Sequence, residues 1–435
     1  MPKAETDGSI AVFITGNELG ALQPCGCSGG QLGGLDRRAA VFNAAAKSRR
    51  LIIDTGSLVD GDSEQDLIKF NILLQAFGFL DYDLVNLTKE DVGITRNLGL
   101  LNGADSLPAM ISAYWPSDAN LPAGFTRNFD VGAKKLSVTV TCLDAKSGNL
   151  EKLKGLFVLP RTLPTFNILI VNEFKQDVID TIRQGGLVDC LVYPGDSDRP
   201  RLVSKPPERP VVVAGGKFGK YVARLKISPK SAGPDTSGSL FDKGQGITES
   251  IDSYDVKFSA VPVAEELPRD DSLIQLYRVY QQLIKEAGLL EKQPRFILPN
   301  ELIYVGSNAC KSCHEYEYSK WSTKIHAHAY ATLERVGSQF DPECIVCHVV
   351  GAEYESGFVS ESKSSENLRN VGCENCHGPG SEHVKTAGST KTSEPKADCD
   401  LCHTPENSAN YAGNERQYFE KIIHWREPNS PGDVQ

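Results

Sequence analysis

The sequence repeats one short pattern four times in its last third. Two cysteines separated by two residues are followed at once by a histidine, as CKSCH, CIVCH, CENCH and CDLCH. The motif residues are Cys310, Cys313 and His314; Cys344, Cys347 and His348; Cys373, Cys376 and His377; and Cys399, Cys402 and His403. Any fold of this region must present each cysteine pair together with its histidine.

C-x-x-C-H is the attachment motif of c-type haem. The two thiols form thioethers with the haem, and the adjacent histidine can bind the iron from one side. Cysteine pairs with histidines can also build tetrahedral zinc sites. Zinc does not require a histidine directly after the second cysteine, and here that feature occurs four times. The sequence therefore predicts four covalent c-type haems.

The composition of this region supports a core made of haem. Leu, Ile, Val and Phe together number only 18 of the 126 residues from 310 to 435, a fraction that usually indicates disorder. The motifs begin only 34, 29 and 26 residues apart, so each haem has little chain to enclose it. We predict a mostly helical or irregular multihaem domain in which the haems pack against one another.

Four histidines remain outside the motifs, and none of the chain's eight histidines precedes residue 314. Methionine, the other usual axial ligand, occurs only at Met1 and Met110. We therefore expect bis-histidine ligation, with distal ligands at His326, His328, His383 and His424. On a helix, side chains two residues apart point about 200° away from each other. A helix through His326 and His328 could thus serve two haems.

The segment CKSCH…KWSTKIHAHAYATL…CIVCHVVG…LRNVGCENCHGPGSEH resembles the tetrahaem cytochromes that accept electrons from hydroxylamine oxidation in nitrifying bacteria. The resemblance covers roughly residues 305–405. It implies that His326 and His383 are distal ligands and that the second haem is five-coordinate. His328 stands where that family typically has no histidine, so it either closes the open iron or is not a ligand.

Residues 10–265 alternate between strand-like and helix-like segments, which is the pattern of an α/β fold. Runs rich in β-branched residues predict strands at 11–15, 50–54, 135–143, 167–172, 188–193 and 209–215. Helices are predicted at 34–48, 64–80 and 174–184, and a further helix at 270–291.

GGLDRRAAVFN…LIIDTGSLVDG and NILIVNEF…VDCLVYPGDSD resemble the calcineurin-like metallophosphoesterases, especially their 5′-nucleotidase branch. The resemblance implies a metallophosphoesterase-like sandwich. Two-metal hydrolysis needs ligands that hold the attacking and leaving oxygens, and the ligand positions here are degenerate. They read Asn17–Glu18–Leu19, Gly56–Ser57, Thr88–Asp91, Asn172 and PGDSD. We predict a retained fold without its dimetal chemistry.

Four cysteines lie in the first half: Cys25, Cys27, Cys142 and Cys190. Cys25 and Cys27 belong to the glycine-rich stretch QPCGCSGGQLGG. Disulfides or free thiols are one interpretation of the four, and a zinc or redox site is the other. Both interpretations stay open at this point.

These patterns predict an α/β domain over residues 1–265, a helical linker over 266–300 and the haem domain over 301–435. The function expected is electron transfer without catalysis. One alternative is an enzyme with a five-coordinate haem acting on a small nitrogen or sulfur species. The others are a subunit of a cytochrome filament or larger redox complex, and residual hydrolase or thiol chemistry in the first half.

The net charge of −10 argues against nucleic acid as a partner and favours basic redox proteins. No apolar run is long enough to span a membrane. Haem attachment implies export, so we expect a periplasmic or extracellular protein whose signal peptide is not part of this numbering.

Overall fold

The structure is a computed structural model. It describes residues 8–24, 29–100, 107–115, 122, 124–131, 134–146, 165–204, 208–229, 247–251, 254–360, 363–393, 399–405, 407–408 and 410–425. The chain forms two compact units. The first comprises Met1–Pro24 and Leu32–Tyr277, and the second comprises Cys25–Gln31 and Arg278–Gln435.

All strands found in the described residues belong to the first unit. In chain order they are β1 Ile10–Thr15, β2 Arg50–Asp54, β3 Leu84–Asn86, β4 Ala109–Ile111, β5 Gly124–Val131, β6 Lys134–Leu143, β7 Thr165–Val171, β8 Cys190–Tyr193, β9 Arg201–Leu202, β10 Val211–Ala214, β11 Tyr221–Pro229, β12 Ile247–Ile251 and β13 Tyr254–Pro262.

The strands form two sheets. The first has the order β12-β13-β11-β1-β2-β3-β4, and the second has the order β5-β6-β7-β8-β10-β9. Strands β1 to β4 run parallel, as do β6, β7, β8 and β10. Antiparallel strands complete both sheets, with β11 next to β1, and with β5 and β9 at the edges of the second.

The core of the first unit lies between the sheets. One apolar cluster contains side chains of both, such as Val12 and Leu51 from the first sheet and Val138 and Ile168 from the second. The predicted α/β sandwich is confirmed. The strand predicted at 50–54 is β2 itself, and the other five predicted strands are also present within a few residues of their expected bounds.

The helices in chain order are α1 Leu35–Phe42, α2 Glu64–Phe79, α3 Lys89–Asn97, α4 Gln176–Gly185, α5 Asp271–Glu286, α6 Ser307–Cys310, α7 Glu315–Trp321, α8 Ala329–Val336, α9 Pro342–Ile345, α10 Cys373–His377, α11 Ser381–Lys385 and α12 Glu415–Ile422. Short 3₁₀ turns lie at Lys47–Arg49, Pro299–Glu301, Ile325–His328, Lys363–Leu368 and Cys399–Leu401. Within the described residues, none of these helices has the length and apolar character needed to cross a membrane.

Helix α1 ends at Phe42, earlier than the residue 48 that the alanine-rich sequence predicts. The N–H of Asn43 still bonds to the carbonyl of Ala39, and the chain then turns to enter β2 at Arg50. Helix propensity is worth only tenths of a kcal/mol per residue. The pairing of β2 with β1 therefore overrides it.

The second unit has short helices and a small apolar cluster, as its composition predicts. The cluster includes Leu290, Tyr330, Ile345 and Phe358. Residues 278–300, predicted as a linker, belong to this unit. One reason is that the buried Tyr280 hydroxyl donates to Asp341 Oδ2 at 2.9 Å, so the end of α5 is bonded to the residue that begins α9.

Candidate haem-binding site

Each of the four motifs lies on a short helical turn. The N–H of His314 bonds to the carbonyl of Cys310 at 3.0 Å, and the N–H of His403 bonds to that of Cys399 at 2.8 Å. The third motif is helix α10 itself. A helical turn places the first cysteine and the histidine four residues on along the same side, so the two can face one bound group.

Three motif histidines lie opposite histidines from distant parts of the second unit. The ring centres are 5.9 Å apart for His314 and His383, 6.2 Å for His403 and His326, and 6.4 Å for His377 and His424. Two imidazoles that bind one metal ion from opposite sides, through nitrogens about 2 Å from it, have ring centres about 6 Å apart. The three pairs therefore have room for one iron each.

Hydrogen bonds orient several of these rings. The Nδ1 of His348 lies 2.7 Å from the carbonyl of Ala329, that of His383 2.8 Å from Thr390, and that of His424 3.0 Å from Ile422. A carbonyl only accepts, so Nδ1 carries the proton and Nε2 keeps its lone pair. Metal-bound histidines are usually held in this way.

Burial also affects the protonation of the histidines that could bind iron. Loss of solvent lowers the pKa of His326, His348, His377 and His403, and neighbouring histidines add to the effect for His326 and His377. A histidine must be neutral to bind a metal. The environment of these rings therefore favours the ligating form.

His326 is positioned by bonds to the chain before the third motif. Its carbonyl accepts from the N–H of Val371 at 3.1 Å, and the carbonyl of Val371 accepts from Trp321 Nε1 at 3.0 Å. The two histidines of IHAH lie on a 3₁₀ turn that precedes α8, rather than within one α-helix. His328 is exposed, and among the described residues no ring contact joins it to another histidine.

Apolar side chains beside the motifs also suit a large apolar group. Leu401 lies inside the fourth motif and is 76% exposed, and Ile325 beside His326 is 79% exposed. An apolar macrocycle would cover such side chains, and their burial would contribute to binding it. The residues present thus fit covalent haem.

The thiols of different motifs also approach each other. Cys310 lies within hydrogen-bonding reach of Cys373, and Cys347 within reach of Cys402. The first motif is thereby next to the third, and the second is next to the fourth. This arrangement agrees with the prediction that the haem groups lie close together.

Two of the four cysteines of the first half lie in the core of the first unit. Cys142 on β6 and Cys190 on β8 are buried between the sheets, and no disulfide joins them to a described cysteine. The choice between disulfides or free thiols and a zinc or redox site stays a prediction for these positions. Cys25 and Cys27 lie outside the described residues, so their role stays a prediction.

The strand ends of the first unit hold a buried ion pair where the resemblance expects metal ligands. Arg38 donates from Nη1 and Nη2 to the two oxygens of Glu18, at 2.7 Å each, and neither side chain has any exposure. The Tyr82 hydroxyl accepts from Arg38 at 3.0 Å and lies 2.9 Å from Thr15 Oγ1. The interior of this site is therefore filled by a guanidinium.

Asp54 at the end of β2 belongs to the same network. Its carboxylate accepts from Thr15 Oγ1 at 2.6 Å and from the N–H of Gly56 at 2.8 Å. Burial raises the pKa of Asp54 to about 7, and the Glu18 carboxylate adds to the effect. Among the described residues, no three His, Cys, Asp or Glu side chains are grouped so as to hold a metal ion.

Comparison with known proteins finds a match within the second unit. Residues 309–378 match the family model described as cytochrome c554 and c-prime. This part of the chain is similar to c-type cytochromes, which agrees with the covalent haem that the motifs predict.

One curated relative is cytochrome c-554 of Nitrosomonas europaea, 33% identical over 92 residues. The match covers 18% of this chain and 39% of that protein, so the chain spans about two fifths of the relative's length.

Solved structures similar to this chain include two from Thermus thermophilus. The sulfate thiohydrolase SoxB has a TM-score of 0.45 and 12% identity, and covers 64% of this chain and 61% of its own. A 5′-nucleotidase precursor has a TM-score of 0.43 and 16% identity, with 76% and 68% covered.

Sequence reasoning missed the groups that orient the histidines. They are backbone carbonyls, such as those of Ala329 and Thr390, which no residue type can signal. Arg38 was missed for a different reason: an arginine in an ordinary helix gives no sign that it will be buried against Glu18.

Proposed function

We propose that this chain is an exported tetrahaem c-type cytochrome that carries electrons between redox proteins. The proposal depends on one observation above all, the three histidine pairs with ring centres 5.9 to 6.4 Å apart. When bound, each haem supplies a one-electron redox couple. The role of the chain is to fix the axial ligands and to exclude water around them.

The pairs support a specific ligand assignment. We assign His383 as the distal ligand of the first motif, His424 of the third and His326 of the fourth. The motif histidines are the proximal ligands. His328 is then the remaining histidine for the second iron.

His326 and His328 form a matched pair for testing the assignment. We expect His326→Ala and His328→Ala each to convert one low-spin ferric haem to high spin in the EPR spectrum, at the fourth and the second motif respectively. Four haems per chain are expected from the pyridine haemochrome assay. Fewer than four haems, or an unchanged EPR spectrum in either variant, would overturn the corresponding part of the proposal.

The exposure of His328 favours a second candidate function. If His328 is not a ligand, the second iron has an axial position open to a small molecule. The oxidised wild-type protein would then show a high-spin signal that shifts when cyanide is added. If the spectrum shows four low-spin haems and does not change when cyanide is added, electron transfer remains as the sole function.

We propose that the first unit has no hydrolase activity and serves docking or assembly. The Glu18–Arg38 pair supports this, because Arg38 brings a fixed positive charge into the interior where the resemblance expects metal ions. Elemental analysis should find no stoichiometric metal beyond iron, and 5′-nucleotide hydrolysis should stay at background. Manganese-dependent hydrolysis by wild-type protein, absent in a control preparation, would contradict the proposal.

The net charge of −10 favours basic redox partners. Electron exchange with a basic cytochrome should slow as salt rises, because exposed charges are screened. Neutral acceptors provide the control and should show little change. Sedimentation at high concentration tests the filament alternative, and a single monomeric species would exclude it. Cell fractionation tests export.

A further inference from the structure

The glycine-rich stretch of the first half sends a short segment into the unit that carries the motifs. Residues 29–31 are the described part of this segment, and they cluster with the second unit. Gln31 is only 5% exposed. Its Nε2 donates to the carbonyl of Asn407 at 3.0 Å, and Asn410 Nδ2 donates to the carbonyl of Gly29 at 3.4 Å.

The backbone that Gln31 holds carries the hydrogen-bond partner of a motif histidine. Ser408 follows Asn407 directly, and its Oγ lies 2.7 Å from Nδ1 of His403. The N–H of Ser408 bonds to the carbonyl of Thr404 at 2.8 Å. The Tyr411 ring stacks on the His403 ring, and the two ring centres are 5.0 Å apart.

His403 differs from the other oriented histidines in the kind of acceptor it uses. His348, His383 and His424 face backbone carbonyls, which have no side-chain rotation of their own. A serine hydroxyl rotates freely, so the strength of its bond to His403 depends on how firmly the backbone at Ser408 is held. Gln31 is placed to hold the backbone at Ser408, because its side chain bonds to the carbonyl of Asn407.

We propose that Gln31 is a positioning residue for the fourth motif, and that it acts on His403 through Ser408. This inference rests on the proposed haem ligation. Donation from Nδ1 to an oxygen makes the imidazole a stronger base, which stabilises ferric iron and lowers the midpoint potential, one of the levers by which proteins tune haem. The segment around Gln31 thereby helps to set the midpoint potential of the haem at the fourth motif.

The backbone of the segment agrees with this role. Gly30 has φ +80 and approaches Asn410, whose Nδ2 would lie 4.0 Å from an added Cβ. Positive φ is easily adopted only by glycine. The glycine run thus allows the chain to reach the fourth motif and present Gln31.

The test uses the complete haem-loaded protein and follows all four midpoint potentials by spectroelectrochemical titration. Ser408→Ala should raise one potential, changing the oxidised-to-reduced ratio of that haem about tenfold at fixed applied potential, which is 59 mV for a one-electron couple. Gln31→Ala should raise the same potential by less. Gln31→Glu keeps the size but removes the donor, so it should match Gln31→Ala.

The double variant separates positioning from a general loss of stability. If Gln31 acts through Ser408, Gln31→Ala should add nothing in the Ser408→Ala background. The control is Gln65→Ala, a buried glutamine in α2 of the first unit, which should leave all potentials unchanged. Unchanged potentials in a folded Gln31→Ala protein, or additive shifts in the double variant, would overturn the inference. A haem content below four per chain in the wild-type protein would instead overturn the proposed function.

Discussion

The buried Glu18–Arg38 ion pair allows a direct test of what stabilises the first unit. The perturbation is Arg38→Met, which keeps much of the apolar stem and removes the guanidinium. In the native structure Arg38 makes two bonds of 2.7 Å to Glu18 and one to Tyr82, and neither Arg38 nor Glu18 is exposed. After the substitution, Glu18 has lost its countercharge.

The expected cost follows from this geometry. Removing one member of a buried pair costs about 3–5 kcal/mol, because the remaining charge is uncompensated. Replacing both members with apolar residues of similar volume is often neutral or stabilising. We therefore expect Glu18→Met/Arg38→Met to regain most of the stability that Arg38→Met loses, with a coupling energy of roughly 3 kcal/mol.

Hydrogen exchange of the amides in β1 and β2, measured on the complete protein, reports the stability of this unit directly. The haem absorbance of the second unit should stay unchanged and shows that the protein is otherwise intact. Arg37→Met is the matched control, since Arg37 makes one bond to the carbonyl of Gly33 at 3.2 Å and should cost only about 1 kcal/mol. A double variant less stable than Arg38→Met would refute the reasoning.

Burial and hydrogen bonding at three other residues lead to further expected outcomes. The folded pKa of Asp54 is raised to about 7. The stability it contributes is therefore present at low pH and is lost as pH rises from its ordinary pKa of 3.8 towards 7, by at most about 1.4 kcal/mol per pH unit. Asp54→Asn should flatten this slope in hydrogen exchange, and an unchanged slope contradicts it. Glu374→Ala removes the acceptor of two buried backbone amides, at about 1–3 kcal/mol each; denaturation followed by haem absorbance should show the loss, and a change below 1 kcal/mol would argue against it. Tyr280→Phe deletes the buried bond to Asp341 and should cost about 1–3 kcal/mol in the same assay, with exchange in β1 as the unaffected control.

Sequence patterns predicted the first unit well where short-range signals are strong. The apolar run of residues 50–54 became β2 with the same bounds, because a fully buried parallel strand needs continuous apolar side chains. Seven strands were not predicted, namely β3, β4, β5, β9, β11, β12 and β13. Strands β3 and β4 have only three residues each, which carry too little pattern. The division into compact units near residue 278 depends on contacts such as Tyr280 with Asp341, which no local pattern shows.

Local spacing of residues is enough to predict the chemistry of the second unit. Covalent attachment needs two cysteines and a histidine at fixed local spacing, so all four motifs can be located without any fold. The shortage of apolar residues and the surplus of histidines also follow from the sequence alone.

Which histidine lies opposite which motif depends on the tertiary fold. His383 meets His314 and His326 meets His403 because the chain folds back through space, and no local pattern encodes these pairings. The same is true of Gln31 beside Asn407 and of Arg38 against Glu18. Residue spacing fixes bonds within one turn of chain, whereas contacts between distant segments depend on how the whole chain packs.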